Sequence, residues 1–464
     1  MNIKAAYMVP HPPLIVPAVG NGQEKEIEAT IVSYKRVAEE IKTLNPDTIV
    51  IVSPHSVMYA DYFHISPGSR AEGDFGNFRA PQVSFHIEYD KKFADHLTTL
   101  AERNEMAAGF LGERDPRLDH GTMVPLYFIK EAYGENFSSN VVRIGLSGLS
   151  FEEHYKLGQL IQETAVDLGR NIIFIASGDL SHKLKEEGPY GYKKEGPEYD
   201  EKIMTYASHA DFLDILLMKE EFCELAGECG HRSLCMMAGV LDGIDVKATK
   251  LSYEGTFGVG YGIVSFHPTG LSEERKLLDK VVSEKKRRLE ARKAQEDSYV
   301  KLARKSLETY VCTGNKIEVP TDLPEELRSK RAGCFVSLKK EGRLRGCIGT
   351  IAPTKKSLAE EIIENAINAA VSDPRFEVVE EDELEKLEIS VDVLGEPSEI
   401  ASPNELDVEK YGVIVSKGYK RGLLLPNLEG VDTVEEQIRI AMQKAGIAEG
   451  EVVKLERFEV VRHF

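Results

Sequence analysis

Three short apolar runs constrain this chain more than any other feature, because each one stops at a histidine. Ile3–Val9 leads into Pro10-His11-Pro12-Pro13, Thr48–Val52 into Ser53-Pro54-His55, and Ile172–Ala176 into Ser177-Gly178-Asp179-Leu180-Ser181-His182. A continuous run of β-branched and aromatic residues is the pattern of a strand buried on both faces, as in a parallel sheet covered by helices. Titratable side chains just past the ends of such strands are where α/β proteins assemble their sites. The first half of the chain is therefore expected to be organised around the place where these three endings meet.

The stretches between the runs support that reading. Lys25–Leu44, Ala94–Glu105, Glu152–Leu168, Tyr199–Met218 and Arg232–Leu241 have helical character, and Val83–Tyr89, Asn140–Leu146 and Gly262–Phe266 read as further strands. The alternation predicts an α/β domain over residues 1–268, with a central mixed sheet flanked by helices. His267-Pro268-Thr269-Gly270 reads as a break. A charged helical linker is expected over 269–295, where Glu284 and Glu290 flank the basic run Lys285-Lys286-Arg287-Arg288 and make it a solvated face. From 296 to 464 strands and helices alternate less regularly, which predicts an α+β domain. Its expected strands are Gly333–Leu338, Gly346–Ile351, Leu387–Leu394 and Gly412–Ser416, with helices at Leu358–Val371 and Glu435–Ala445.

The net charge of −19 argues against a nucleic-acid partner, since phosphate contacts need clustered Lys and Arg. No apolar stretch is long enough to span a membrane, and no signal peptide is visible, so a cytoplasmic location is expected. Cys223, Cys229, Cys235, Cys312, Cys334 and Cys347 lack zinc-finger spacing and read as reduced thiols, with Cys312 and Cys334 in the core. An oligomer is compatible with the sequence.

Four histidines stand out by context. His11 and His55 are locked beside prolines, His120 lies in Asp119-His120-Gly121-Thr122, and His182 follows Gly178-Asp179. Two histidines and one carboxylate with open positions make the facial triad of non-haem iron(II) enzymes, and zinc accepts the same ligands.

These motifs resemble the class III extradiol ring-cleaving dioxygenases, in the form of their catalytic chain (the protocatechuate 4,5-dioxygenase β-subunit type), over about residues 1–268. The domain is also similar to the Memo proteins. The resemblance implies His11 and His55 as Fe(2+) ligands, His182 as the catalytic acid–base, and His120 as a catalytic pocket residue assisting substrate or O2. It places the third ligand at the entry to the late helix, where Glu228 completes the set. Cys229 takes that place if the domain is Memo-like, and His231 would make an all-histidine site suited to zinc. Asp179 would orient the His182 ring or cap a turn.

The later motif Leu344-Arg345-Gly346-Cys347-Ile348-Gly349-Thr350 resembles the AMMECR1 family over 296–464. Asn368-Ala369-Ala370, Asp373-Pro374-Arg375-Phe376, Gly422–Pro426 and Lys444-Ala445-Gly446 add to that resemblance. Arg345 and Cys347 alternate along a strand, so both side chains share one face.

The implied function is an extradiol-type iron(II) dioxygenase, an oxidoreductase acting on a catechol-like substrate and O2, fused to an AMMECR1 domain. The alternative is a Memo-like metal-binding accessory protein without ring-cleaving activity. It would serve a modification system with Memo-like and radical-SAM proteins as partners.

Overall fold

The three apolar runs lie side by side. In the computed structural model the first sheet has six strands: β1 (Ile3–Val9), β2 (Thr48–Ser53), β3 (Asn140–Gly145), β4 (Ile172–Ser177), β5 (Ile244–Glu254) and β6 (Tyr261–Leu271). Their order is β3-β2-β4-β1-β6-β5. The first four are parallel, and β6 pairs antiparallel with both β1 and β5. The structure describes every residue except 135, 136, 138, 341 and 429. It divides into two units, Met1–Lys285 and Lys286–Phe464.

The sheet is mixed, as the alternation predicted, and helices cover both faces. Ile49, Ile51, Ile173 and Ile175 pack against helices α1 (Glu28–Leu44) and α2 (His120–Tyr133). Val50, Val52, Phe174 and Ala176, which alternate with them, pack against α3 (Phe151–Asp167) and α4 (His231–Val240). Each fully buried Ile, Val or Phe is worth about 1.5–3 kcal/mol, so a one-residue slip that exchanged the two faces would have to repack both cores. This strand order decides where function sits. β4 lies between β1 and β2 and all three are parallel, so the endings that carry His11, His55 and His182 emerge next to one another at the carboxyl end of the strands.

Three expectations fail here for physical reasons. The break at His267–Gly270 is strand: β6 continues to Leu271 and pairs with β5, with a bulge between Pro268 and Gly270. Pro268 lies beyond Phe266, where pairing with β1 ends, and at the bulge, a place where a strand tolerates proline. The helix read over Tyr199–Met218 is two helices, Glu195–His209 and Phe212–Leu216, separated where Ala210 adopts a left-handed conformation (φ 55°). Cys312 is exposed rather than core, whereas Cys334 is buried.

The charged stretch after β6 forms two helices, α5 (Leu278–Gln295) and α6 (Ser298–Thr313); Asp297 accepts from Tyr299 N and Val300 N and so starts the second. The sheet of the second unit contains β7 (Cys334–Lys340), β8 (Arg343–Gly349), β9 (Leu387–Leu394), β10 (Ser398–Ile400), β11 (Tyr411–Lys417), β12 (Lys420–Leu424) and β13 (Lys454–His463). Its order is β8-β7-β9-β13-β11-β12, with β10 on β13 and every pairing antiparallel. One face packs on α6 and α7 (Leu358–Val371) through Val336, Leu338, Val391 and Ile362, and farther along on α8 (Val434–Lys444) through Val413, Val415 and Ala441. The opposite face carries a small cluster of Leu394, Ile414, Leu423 and Phe458 with Phe335 against it. No helix among the described residues is long and apolar enough to cross a membrane.

Candidate metal centre

Each strand ending contributes one part of a single site. After β1, Pro10 and Pro12 fix the backbone around His11, which is buried, and Tyr34 donates its hydroxyl to the Pro10 carbonyl. His11 N donates to Asp179 Oδ1 at 2.7 Å, tying the β1 ending to the β4 ending. His11 Nδ1 lies 3.0 Å from Ser177 Oγ, and that hydroxyl donates its own hydrogen to Gly121 O at 2.6 Å. Ser177 can therefore only accept from the imidazole. The proton of neutral His11 sits on Nδ1, and Nε2 presents a bare lone pair to the pocket.

That lone pair is the centre of the site. His55 Nε2 is 3.0 Å from it and Cys229 Sγ is 3.6 Å from it. His11, His55 and His120 bring ligand atoms within 4.8 Å of one another, and so do His11, Asp179 and Cys229. The rings of His55 and His120 have centroids 4.0 Å apart. Burial, followed by repulsion from His55, His120 and His182, holds His11 far below the ordinary imidazole range. Burial also pushes His120 and His182 down to about 4. Neutral imidazoles converging on one point fit a metal ion, which needs deprotonated ligands. The side-chain contacts behind them are of the kind that orient metal-binding histidines.

Asp119 organises the second ending. It caps α2 by accepting from Thr122 N at 3.0 Å and Thr122 Oγ1 at 2.9 Å, and it accepts from Ser53 Oγ at 2.5 Å. One carboxylate thus joins the β2 end that carries His55 to the helix start that carries His120. Arg143 on β3, only 2% exposed, places Nη1 3.8 Å from the same carboxylate.

Glu228, Cys229 and His231 are close in sequence but face different ways. Cys229 faces the histidines: its Sγ accepts from Asp179 N at 3.2 Å and its backbone N donates to Asp179 O at 3.3 Å. This contact requires glycine on both sides, since a Cβ on Gly178 would lie 2.1 Å from Gly230 Cα. Glu228 turns away, and its Oε2 accepts from His231 N at 2.5 Å at the start of α4. Burial raises Glu228 to about 7 despite that bond. His231 has both ring nitrogens engaged, with Ile215 O at 3.1 Å and Tyr199 Oη at 3.2 Å. Neither Glu228 nor His231 belongs to the groups whose ligand atoms converge.

His182 completes the wall. Its Nε2 is shielded from solvent, has no hydrogen-bond partner among the described residues, and lies 4.0 Å from Asp179 Oδ2. Burial raises Asp179 to about 7. Tyr190 lies against the His182 ring and Phe78 against the His120 ring, at centroid distances of 5.0 and 5.3 Å. Sequence reasoning named the histidines but missed Ser177 as the group that fixes the His11 proton. It also missed Asp119, although an aspartate three residues before a threonine in Asp119-His120-Gly121-Thr122 is an N-cap signal.

A family model described as the catalytic LigB subunit of aromatic ring-opening dioxygenase matches residues 5–264. The chain belongs to this family. The AMMECR1 family model matches residues 300–463, so the LigB domain is followed by an AMMECR1 domain. A protein of Clostridium acetobutylicum is 44% identical over 480 residues, covering 100% of this chain and 99% of its own length. A Thermotoga maritima protein is 55% identical over 170 residues, 36% of this chain and 98% of its own. An uncharacterized protein of Pyrococcus horikoshii with a solved structure is 37% identical, with a TM-score of 0.34 over 35% of this chain and 88% of its own. An uncharacterized protein of Escherichia coli K12 is 15% identical, with a TM-score of 0.38 over 56% of this chain and 99% of its own.

Proposed function

We propose that the LigB domain is a Memo-like metal-binding module whose ion is held by His11, His55 and Cys229, with His120 beside them. In this reading the AMMECR1 domain acts with it in a radical-SAM-associated modification system, as the family resemblance implies. The observation that carries the proposal is the position of the Cys229 sulfur, 3.6 Å from the bare Nε2 of His11, while the Glu228 carboxylate is spent on His231 N. A mixed imidazole and thiolate set suits zinc or iron(II) better than a hard, oxygen-seeking cation. The ion would act as a Lewis acid on a bound water or substrate oxygen.

The chain's own residues then do the rest. His182, kept neutral by burial and unpartnered at Nε2, takes or returns a proton at that atom. Asp179 holds the His11 backbone and faces His182, so it keeps these two groups in fixed relation. Phe78 and Tyr190 offer flat apolar walls to a small aromatic substrate.

Metal analysis of two variants tests the ligand set. Cys229→Ala is expected to weaken metal binding by about 100-fold, whereas Glu228→Gln keeps the metal and loses only stability. The opposite pattern overturns the proposal. The second reading, an iron(II) ring-opening dioxygenase, is favoured by the free Nε2 of His182, a base placed to deprotonate a catechol hydroxyl. Oxygen uptake by iron-loaded protein against a panel of catechols separates the two: none is expected for the Memo-like module, and uptake abolished by His182→Ala would establish the dioxygenase.

A further inference from the structure

Arg143 on β3 is only 2% exposed, and a guanidinium is expensive to take out of water. Its contacts run in three directions. Nε donates to Ser66 Oγ at 2.6 Å, and Ser66 N returns a bond to the Arg143 carbonyl at 3.0 Å. Nη1 donates to the Arg117 carbonyl at 2.5 Å and lies 3.8 Å from Asp119 Oδ2. Nη2 makes no hydrogen bond among the described residues and lies 3.8 Å from Glu113 Oε2. That carboxylate oxygen is also 3.3 Å from Nε2 of buried His64, whose Nδ1 donates to the Leu111 carbonyl at 3.1 Å.

Glu113, Arg117 and Asp119 all belong to one short segment without regular structure, exposed over 114–117, that passes directly into His120. Leu118 N adds a bond to Glu72 O at 2.9 Å. An irregular, exposed segment takes its path from the few groups that hold it. Here three of its residues converge on one side chain. The two carboxylates would repel each other, and the guanidinium between them offsets that repulsion. Asp119 bonds Ser53 on β2 and Thr122 on α2, so its place decides where α2 starts. His120 is the first residue of that helix, with its ring centroid 4.0 Å from that of His55 and 5.4 Å from that of His11.

We propose that Arg143 is a positioning residue for His120: it gathers residues 113–119 around its guanidinium, fixes Asp119, and through Asp119 sets the His120 ring against His55. Arginine suits this and lysine does not. A fixed planar fork reaches a hydroxyl, a carbonyl and two carboxylates at once, whereas an ammonium is one point of charge. The effect on metal binding rests on the reading of the histidine group as a metal centre; the effect on the ring does not.

The full chain labelled with 15N-histidine tests this in two ways. In the metal-free protein, Arg143→Lys should shift the ring signals of His120, which are identified by their absence from His120→Gln. Asp119→Asn should shift the same signals. Zinc affinity, read by competition with a chelator, should fall about tenfold in each variant. The double variant should fall no further than the weaker single variant, because both changes break one connection. Ser66→Ala removes one acceptor from the guanidinium and should move the His120 signals in the same sense, which decides the matter if Arg143→Lys does not fold. The proposal is overturned if the His120 signals keep their wild-type positions in the Arg143 and Ser66 variants. It is equally overturned if the Arg143 and Asp119 losses multiply to about 100-fold. A wild-type chain that binds no zinc would count against the metal centre, and the His120 signals of the metal-free protein would still decide the role of Arg143.

Discussion

Each domain presents one cysteine from an irregular or edge position, and the two settings are opposite. Cys229 sits among neutral imidazoles and beside Asp179, and burial together with the Asp179 and Glu228 carboxylates raises its pKa well above the ordinary thiol value. Cys347 is half-buried on the edge strand β8, where Ser337 donates its hydroxyl to Sγ at 3.2 Å. Asp373 Oδ2 accepts from its backbone N at 2.9 Å, and Arg375 Nη2 donates to its carbonyl at 3.2 Å. In the first setting the protein supplies lone pairs and leaves the positive charge to come from a bound ion. In the second the guanidinium that touches the cysteine backbone, Arg375, is already paired with Asp373. The difference shows that the residue type says little about its chemistry until its neighbours are known.

The largest expected effect is on the first setting. His11 belongs to both groups of converging ligands, so His11→Ala should leave under about a tenth of an equivalent of metal bound, read by elemental analysis after desalting. Cys347 reactivity toward iodoacetate should be untouched. If it changed with the metal, the independence of the two sites would fail.

Next comes the close approach that carries Cys229 to His11. Gly178→Ala should cost about 3 kcal/mol in denaturant unfolding, because the added methyl meets the Gly230 backbone. Gly270→Ala, where nothing lies within 4 Å, is the control and should be near neutral.

The third separates the domains by their response to acid. Hydrogen bonds from Arg345 hold Glu383 down at about 2, below an unfolded value near 4.5. Its stabilising effect is complete above about pH 4.5 and disappears as the pH falls toward 2, so the AMMECR1 domain should lose about 2 kcal/mol across that window. Glu383→Gln should flatten that loss in melts between pH 5 and 2. In the LigB domain the shifts oppose each other. Asp179 and Glu228, raised to about 7, favour folding as the pH drops, while His120 and His182, lowered to about 4, disfavour it. Asp200, also raised to about 7, joins the first side, but His154 and His231, held down at about 3 by burial, join the second. These two still oppose folding below about pH 4, where the carboxyls are protonated in both states. The LigB domain should therefore also lose stability in acid, through its histidines rather than a carboxylate.

The smallest effect concerns the His11 proton. Ser177→Ala removes the acceptor that fixes it on Nδ1, and metal affinity should fall about tenfold with no loss of fold.

Much of this was legible in the chain. Two-sided burial leaves a continuous apolar signature, so β1, β2 and β4 announced themselves, and the histidines at their ends followed. Which residue at the entry to α4 faces the histidines was not legible. Glu228 and Cys229 are adjacent, and which one faces His11 depends on the backbone path set by Gly227, at a φ of 66°, and by the Gly178–Gly230 contact. Those are long-range facts that no local pattern encodes. β13 was missed for a different reason. Lys-Leu-Glu-Arg-Phe-Glu-Val-Val-Arg-His, read alone, is a charged segment, and its strand character comes from pairing with β9, β10 and β11 at once.

The clamp on Cys347 has a consequence for how the molecule behaves in a crowd. An open outer strand invites a strand from another chain, and uncontrolled growth of that kind ends in aggregates. At Cys347 the two backbone groups that a newcomer would need are already held by Asp373 and Arg375. The pair that holds the Cys347 backbone thus closes the sheet there, keeping an outer strand from becoming a sticky one.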